Sequence, residues 1–127
     1  MSHWSINYLG KTYIKGENDC WTVFCDVQNN VFDRNIQDLA FGTINELSTR
    51  KEFLNNPLRQ RFKEVRIPVD GCAVFMSKGK YTSHIGTYLN IGEGRVLHCI
   101  EYSGTVIQSL SDLKAYGWNI VGFFEVE

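Results

Sequence analysis

The sequence predicts an α+β domain, with helices near the N-terminus packed on a later meander of antiparallel strands. Three observations predict it. Residues 20–32 place Trp21, Phe24, Cys25, Val27, Gln28 and Val31 at i, i+3, i+4 and i+7 relations, which gather into a stripe on a helix. From Phe62 onward, short apolar or alternating runs are divided by Gly, Ser, Asp and Pro turns, as strands are. The helical signals come first and the strand signals after, so an alternating β/α order is not expected. A chain of 127 residues suits one domain with one core, spanning 1–127.

Taken in order, residues 1–16 read as an arm with one short turn or strand over 8–14. Asp19 is a natural N-cap for the helix that opens at Asp19 or Cys20, with Asn18 able to serve in its place, because a side-chain oxygen there can accept the otherwise unpaired N–H groups of the first turn. Residues 36–55 predict a second, more polar helical region, with Leu39, Ala40, Ile44, Leu47 and Phe53 buried and Gly42 bending it. Asn56-Pro57 closes that region, since the residue before proline disfavours the helical conformation. Residues 62–67 alternate as a half-buried strand, and Pro68-Val69-Asp70-Gly71 turns the chain. Residues 72–77 are nearly all apolar and predict a central strand, and 77–80 a turn. Strands over 84–91 and 95–102 flank a Gly92-Glu93-Gly94 hairpin loop. A strand at 105–108, a helical turn at 111–114 and a closing strand at 118–126 follow.

Bulk composition excludes several classes of function. Net charge is −1 and no basic stripe is present, which argues against nucleic acid; Arg59, Arg61, Lys63 and Arg66 read as a solvated face. No apolar run is long enough to span a bilayer. The N-terminal MSHWSINYLGK lacks the charged start and apolar segment of a signal peptide, so synthesis in the cytosol is expected, with export only by another route such as assembly into a particle. The four cysteines, Cys20, Cys25, Cys72 and Cys99, are therefore expected as free thiols.

Chemistry concentrates around Cys20. A thiol at a helix N-terminus meets unpaired N–H groups and the positive end of the dipole, which predicts easy ionisation to the nucleophilic thiolate. The same N–H groups suit an oxyanion. His84 and His98 lie on consecutive strands an even number of positions apart, so with no bulge they share a face. If the helix of Cys20 packs against that face, a Cys–His–His unit results. Cys20 attacks, His84 exchanges protons with the thiol and the leaving amine, and His98 orients His84. A zinc site from Cys72, His98 and Cys99 is the competing assignment. Neighbours on a strand face opposite ways, and no CxxC or HxxxH pair is present, so neither a metal nor a cofactor is expected.

Asp19-Cys20-Trp21, the strand His84-Ile85-Gly86-Thr87-Tyr88-Leu89 and Val96-Leu97-His98 together resemble the NlpC family of papain-like cysteine peptidases. The likeness runs from Tyr13 to about His98. DCWTVFCDVQ is most similar to versions in the tail-tip assembly proteins of long-tailed bacteriophages, where a segment like 110–118 also follows the second histidine strand. The resemblance implies a papain-like fold and hydrolysis of amide bonds in peptidoglycan stem peptides. It implies Cys20 as nucleophile, His84 as base and His98 as third polar residue, with Tyr13 beside the oxyanion and Asp19 in the oxyanion and substrate-binding group. It also implies other phage tail proteins as partners and the virion tail as the destination. One departure is that Gly71-Cys72 stands where the family carries Gly-Asp. The alternatives on the same scaffold are a structural tail-tip subunit with little or no turnover and an amidase or acyltransferase.

Overall fold

The computed structural model describes residues 3–36, 61–78 and 82–127. A 3₁₀ turn, Trp4–Tyr8, precedes helix α1, Cys20–Asn30. Strands β1 (Phe62–Val65), β2 (Ala73–Ser77), β3 (Thr82–Leu89), β4 (Arg95–Ile100) and β5 (Gly104–Ser109) follow, then helix α2 (Leu110–Ala115) and β6 (Asn119–Val126). The α+β class and the strand positions agree with the sequence reading. The helical region expected over 36–55, its bend at Gly42 and its stop at Asn56-Pro57 lie outside the described residues apart from Ile36, as does the end of the turn at 77–80. In the arm, the regular element is the 3₁₀ turn at Trp4–Tyr8, earlier than the expected 8–14.

The six strands form one antiparallel sheet in the order β1-β6-β2-β3-β4-β5. β2 to β5 make the expected meander. β6 departs from it by inserting between β1 and β2, so the all-buried run Ala73–Ser77 lies within the sheet. Burial on both faces is what a continuous apolar strand requires.

α1 lies across one face of this sheet. Its Trp21 and Phe24 begin a run of aromatic contacts, Phe24–Phe62 at 5.9 Å, Phe62–Phe75 at 5.4 Å and Phe75–Phe124 at 4.6 Å, that ties the helix to β1, β2 and β6. Val23 and Val27 pack with Leu89, Leu97 and Cys99 on β3 and β4. Phe24 is 1% exposed, and burying a side chain of that size stabilises the fold by about 1.5–3 kcal/mol. The opposite face packs Val74, Met76, Tyr88 and Val96 under Leu113 of α2. Gly71 joins the two sides of the fold. Its φ is +87°, and a Cβ there would meet the Phe32 ring at 2.5 Å. Its carbonyl also accepts the Gln28 side-chain N–H at 2.8 Å. Cys72, which follows, is fully buried in the apolar cluster with Val74 and Leu113.

Candidate active site

The turn before α1 is built to hold Cys20. Asp19 Oδ1 accepts the Thr22 N–H at 2.9 Å, while the Thr22 hydroxyl accepts the Asp19 N–H at 2.8 Å, a reciprocal capping box. Asp19 Oδ2 accepts the Gly16 N–H at 2.8 Å, closing the Ile14–Asn18 turn onto the helix. The Asn18 carbonyl accepts the Cys99 thiol at 3.0 Å, and the Asn18 amide donates to the Thr12 carbonyl at 2.9 Å. Upstream, Gly10 and Lys11 exchange backbone hydrogen bonds with Thr105 on β5. These ties bring Tyr13 and Cys20 to the end of β4 and β5.

The histidines come from the other side of the gap. β3 and β4 pair from Leu89↔Arg95 to Thr87↔Leu97, and the ladder stops there. Continued one step, that register sets His98 opposite Gly86. A Cβ on Gly86 would sit 2.6 Å from Val96 Cγ1 and 3.1 Å from His98 Cβ, so glycine leaves the room through which His98 reaches His84. A β-bulge falls between the pairs Met76↔His84 and Ser77↔Thr82, before His84, and leaves the alternation from His84 to Leu89 intact. His84 Nε2 and His98 Nδ1 are 2.7 Å apart, as the shared face predicts. His98 Nε2 lies 2.7 Å from Gln108 Oε1 on β5.

The helix face differs from the expectation. α1 packs on the side that carries Ile85, Leu97 and Cys99, whereas His84 and His98 point to the other. Cys20 and His84 line the same cavity where the β3–β4 pairing has ended. Tyr88 exchanges backbone hydrogen bonds with the β2 side, so by alternation the N–H of Ile85 turns toward β4, where pairing has ended. That N–H hydrogen-bonds the Cys20 sulfur.

Tyr13, Cys20, His84 and Gln108 line one cavity of about 490 Å³. His98 is 1% exposed behind it, and Asp19 is 2% exposed with both oxygens engaged in the cap, so Asp19 does not line the cavity. Trp118, carried there by the turn after α2, stacks on the His84 ring at 4.4 Å and 19°. Lys78 Nζ lies 4.4 Å from the Trp118 ring centre on the cavity wall. Glu101 adds a carboxylate to the lining.

The thiol is not poised as thiolate, contrary to the expectation from its helix position. Burial pushes the Cys20 pKa up to about 12, and the Asp19 charge adds to this; N–H groups of Ile85 and Trp21 oppose it and lose. Burial also holds both imidazoles neutral. It depresses His84 well below the ordinary value, helped by His98 and Lys78, and lowers His98 to about 4. Burial raises Tyr13 to about 12, with the charge of Asp19 next in effect, so its hydroxyl remains a hydrogen-bond donor at neutral pH.

Sequence reasoning gave no site role to Gln108, Lys78 or Trp118, the last read only as the end of the 110–118 segment and the start of the closing strand. The strand alternation held a signal for Gln108, which shares the face of Val106 and lies diagonal to His98 across the pair Val96↔Gln108. His98 and Cys99 point opposite ways, to His84 and to the Asn18 carbonyl. Among the described residues no helix is long and apolar enough to cross a membrane. No family model matches the chain, and no curated protein matches its sequence.

Proposed function

We propose that the chain is a cysteine peptidase of the papain-like NlpC type that hydrolyses an amide bond in peptidoglycan stem peptides. The observation that carries the chemistry is the buried His84–His98 pair, whose first ring opens on the same cavity as the thiol of the first helical residue, Cys20. The substrate class rests on the likeness of the Asp19-Cys20-Trp21 and His84–Leu89 motifs to that family. The setting we assign is a phage tail, made in the host cytoplasm and working beside other tail proteins.

The mechanism follows from which ring nitrogen is free. His84 Nε2 is engaged by His98, so Nδ1 is the nitrogen left for the thiol. As the Cys20 sulfur bonds to the scissile carbonyl carbon, its proton passes to His84 Nδ1. The carbonyl π pair moves onto oxygen, where the Tyr13 hydroxyl and the N–H groups at the start of α1 donate to it. Collapse breaks the C–N bond, and the His84 proton goes to the departing amine, leaving a thioester. Water then gives a proton to His84 Nδ1 as its oxygen attacks the thioester. The carboxylic acid leaves, and the proton returns to sulfur.

Because both protein groups begin neutral, proton transfer accompanies attack and does not precede it. The burial of Cys20 (7% exposed) favours one second reading, a structural tail-tip subunit with little turnover. Mass spectrometry of fragments from sacculi separates the two. Wild type is expected to release stem-peptide fragments and Cys20→Ala none. Release by Cys20→Ala sinks the peptidase reading. A wild type without turnover that binds another tail protein tightly establishes the structural one.

A further inference from the structure

We infer that Gln108 is a fourth member of the relay, a positioning residue that sets the tautomers of both histidines so that the lone pair of His84 Nδ1 is held for the Cys20 proton. The inference rests on the Cys–His–His reading above. It begins with donor and acceptor identities. A glutamine Oε1 can only accept, so the 2.7 Å contact requires a proton on His98 Nε2. A neutral imidazole carries one N–H, which leaves His98 Nδ1 as a lone pair. The 2.7 Å contact from that atom then requires His84 to donate from Nε2, and His84 Nδ1 is left unprotonated. The neutrality of both rings follows from their burial, since His98 is 1% exposed and His84 5%.

Without Gln108 the chain has no fixed direction. Two neutral imidazoles hydrogen-bond equally well with either one donating. The reversed arrangement places the proton on His84 Nδ1, where it blocks acceptance of the thiol proton. Gln108 selects between them from the adjacent strand. It also gives an acceptor to the His98 ring when His84 becomes cationic, which a hydrocarbon at this position does not.

The wild type, Gln108→Leu and Gln108→Glu are to be compared by two measurements. Long-range ¹H–¹⁵N correlation spectra of the imidazoles report which nitrogen is protonated, independently of any substrate. Wild type is expected to show both rings protonated on Nε2. Gln108→Leu is expected to lose that preference and to lower kcat about tenfold or more with a smaller change in KM. Gln108→Glu keeps the acceptor, so it is expected to retain the tautomers and to move the acid limb of kcat/KM to higher pH. A wild-type spectrum with the proton on His98 Nδ1 overturns the inference. So does a Gln108→Leu spectrum with unchanged tautomers, and a Gln108→Leu protein that fails to fold leaves the wild-type spectrum to decide. Absent turnover in the wild type sinks the peptidase reading, and the spectra still decide the role of Gln108.

Discussion

Lowering the pH from 7 to 5 is expected to remove about 2 kcal/mol of folding stability through His98 alone. Burial lowers its folded pKa to about 4, the Gln108 contact opposes that, and Lys78 adds to it. In the unfolded chain a histidine titrates near 6.5. The unfolded state therefore binds more protons between these two values, and the free energy of unfolding falls as pH falls through that window. At pH 5 the unfolded ring is almost fully protonated and the folded one almost fully neutral. The population ratio is then about thirty to one, or ~2 kcal/mol. Below the folded value the loss levels off at about 3 kcal/mol. His84, depressed chiefly by burial, adds a loss of the same sign. Against a typical total of about 5–15 kcal/mol this is large. Urea unfolding followed by tryptophan fluorescence at pH 7, 6 and 5 measures it, with His98→Asn as control. The variant should lose about 2 kcal/mol less than wild type between pH 7 and 5. Equal losses in the two proteins refute the claim that His98 is buried neutral.

Three further outcomes follow from the geometry. Alkylation of Cys20 by iodoacetamide in the free protein should be slow at pH 7 and rise toward alkaline pH; Asp19→Asn, which removes the adjacent charge, should speed it at pH 8, and a fast, pH-independent rate contradicts the neutral thiol. Gly86→Ala places a Cβ against Val96 and His98 and should cost about 1–3 kcal/mol in chemical denaturation, with a weakened His84–His98 contact in imidazole spectra; unchanged stability rejects the close approach. Trp118→Ala removes the ring stacked on His84 and admits water, so the His84 pKa should rise toward its ordinary value in an NMR titration; no movement means that the indole does not control its solvation.

Local chemistry made much of this legible in the sequence. Asp19 read as a cap because a carboxylate before an apolar helical stripe has one obvious use, and the capping box is what the structure builds. The parity of His84 and His98 survived because the bulge in β3 falls before His84. Two features were illegible for a common reason, namely that they depend on where pairing ends. The early stop of the β3–β4 ladder lets a thiol from the helix on one face share a cavity with His84 on the other. No residue type marks such a stop. The placement of β6 between β1 and β2 is likewise a long-range choice, made by the aromatic cluster of Phe62, Phe75 and Phe124. The thiol ionisation was misjudged because the helix dipole is visible in sequence and burial is not; at 7% exposure the desolvation of Cys20 outweighs the N–H groups around it.

Those facts bear on how fast such a site can work. In a triad closed by a carboxylate, a full negative charge stabilises the imidazolium formed during attack. Here the ring that supports His84 is neutral, its own support is the dipole of an amide, and Lys78 disfavours a further positive charge nearby. Charge separation between Cys20 and His84 is thus unfavourable on its own, and on the peptidase reading the substrate carbonyl offsets it by carrying the negative charge toward Tyr13. On that reading, the site is consequently quiet toward small electrophiles and reacts only with a substrate that reaches the oxyanion donors. A peptide that binds in the cavity but lacks a carbonyl at that point should leave the Cys20 alkylation rate largely unchanged, whereas a peptide aldehyde should suppress it by trapping the thiol as a hemithioacetal. Equal protection by both peptides would show that occupancy alone, and not the oxyanion contact, governs the thiol.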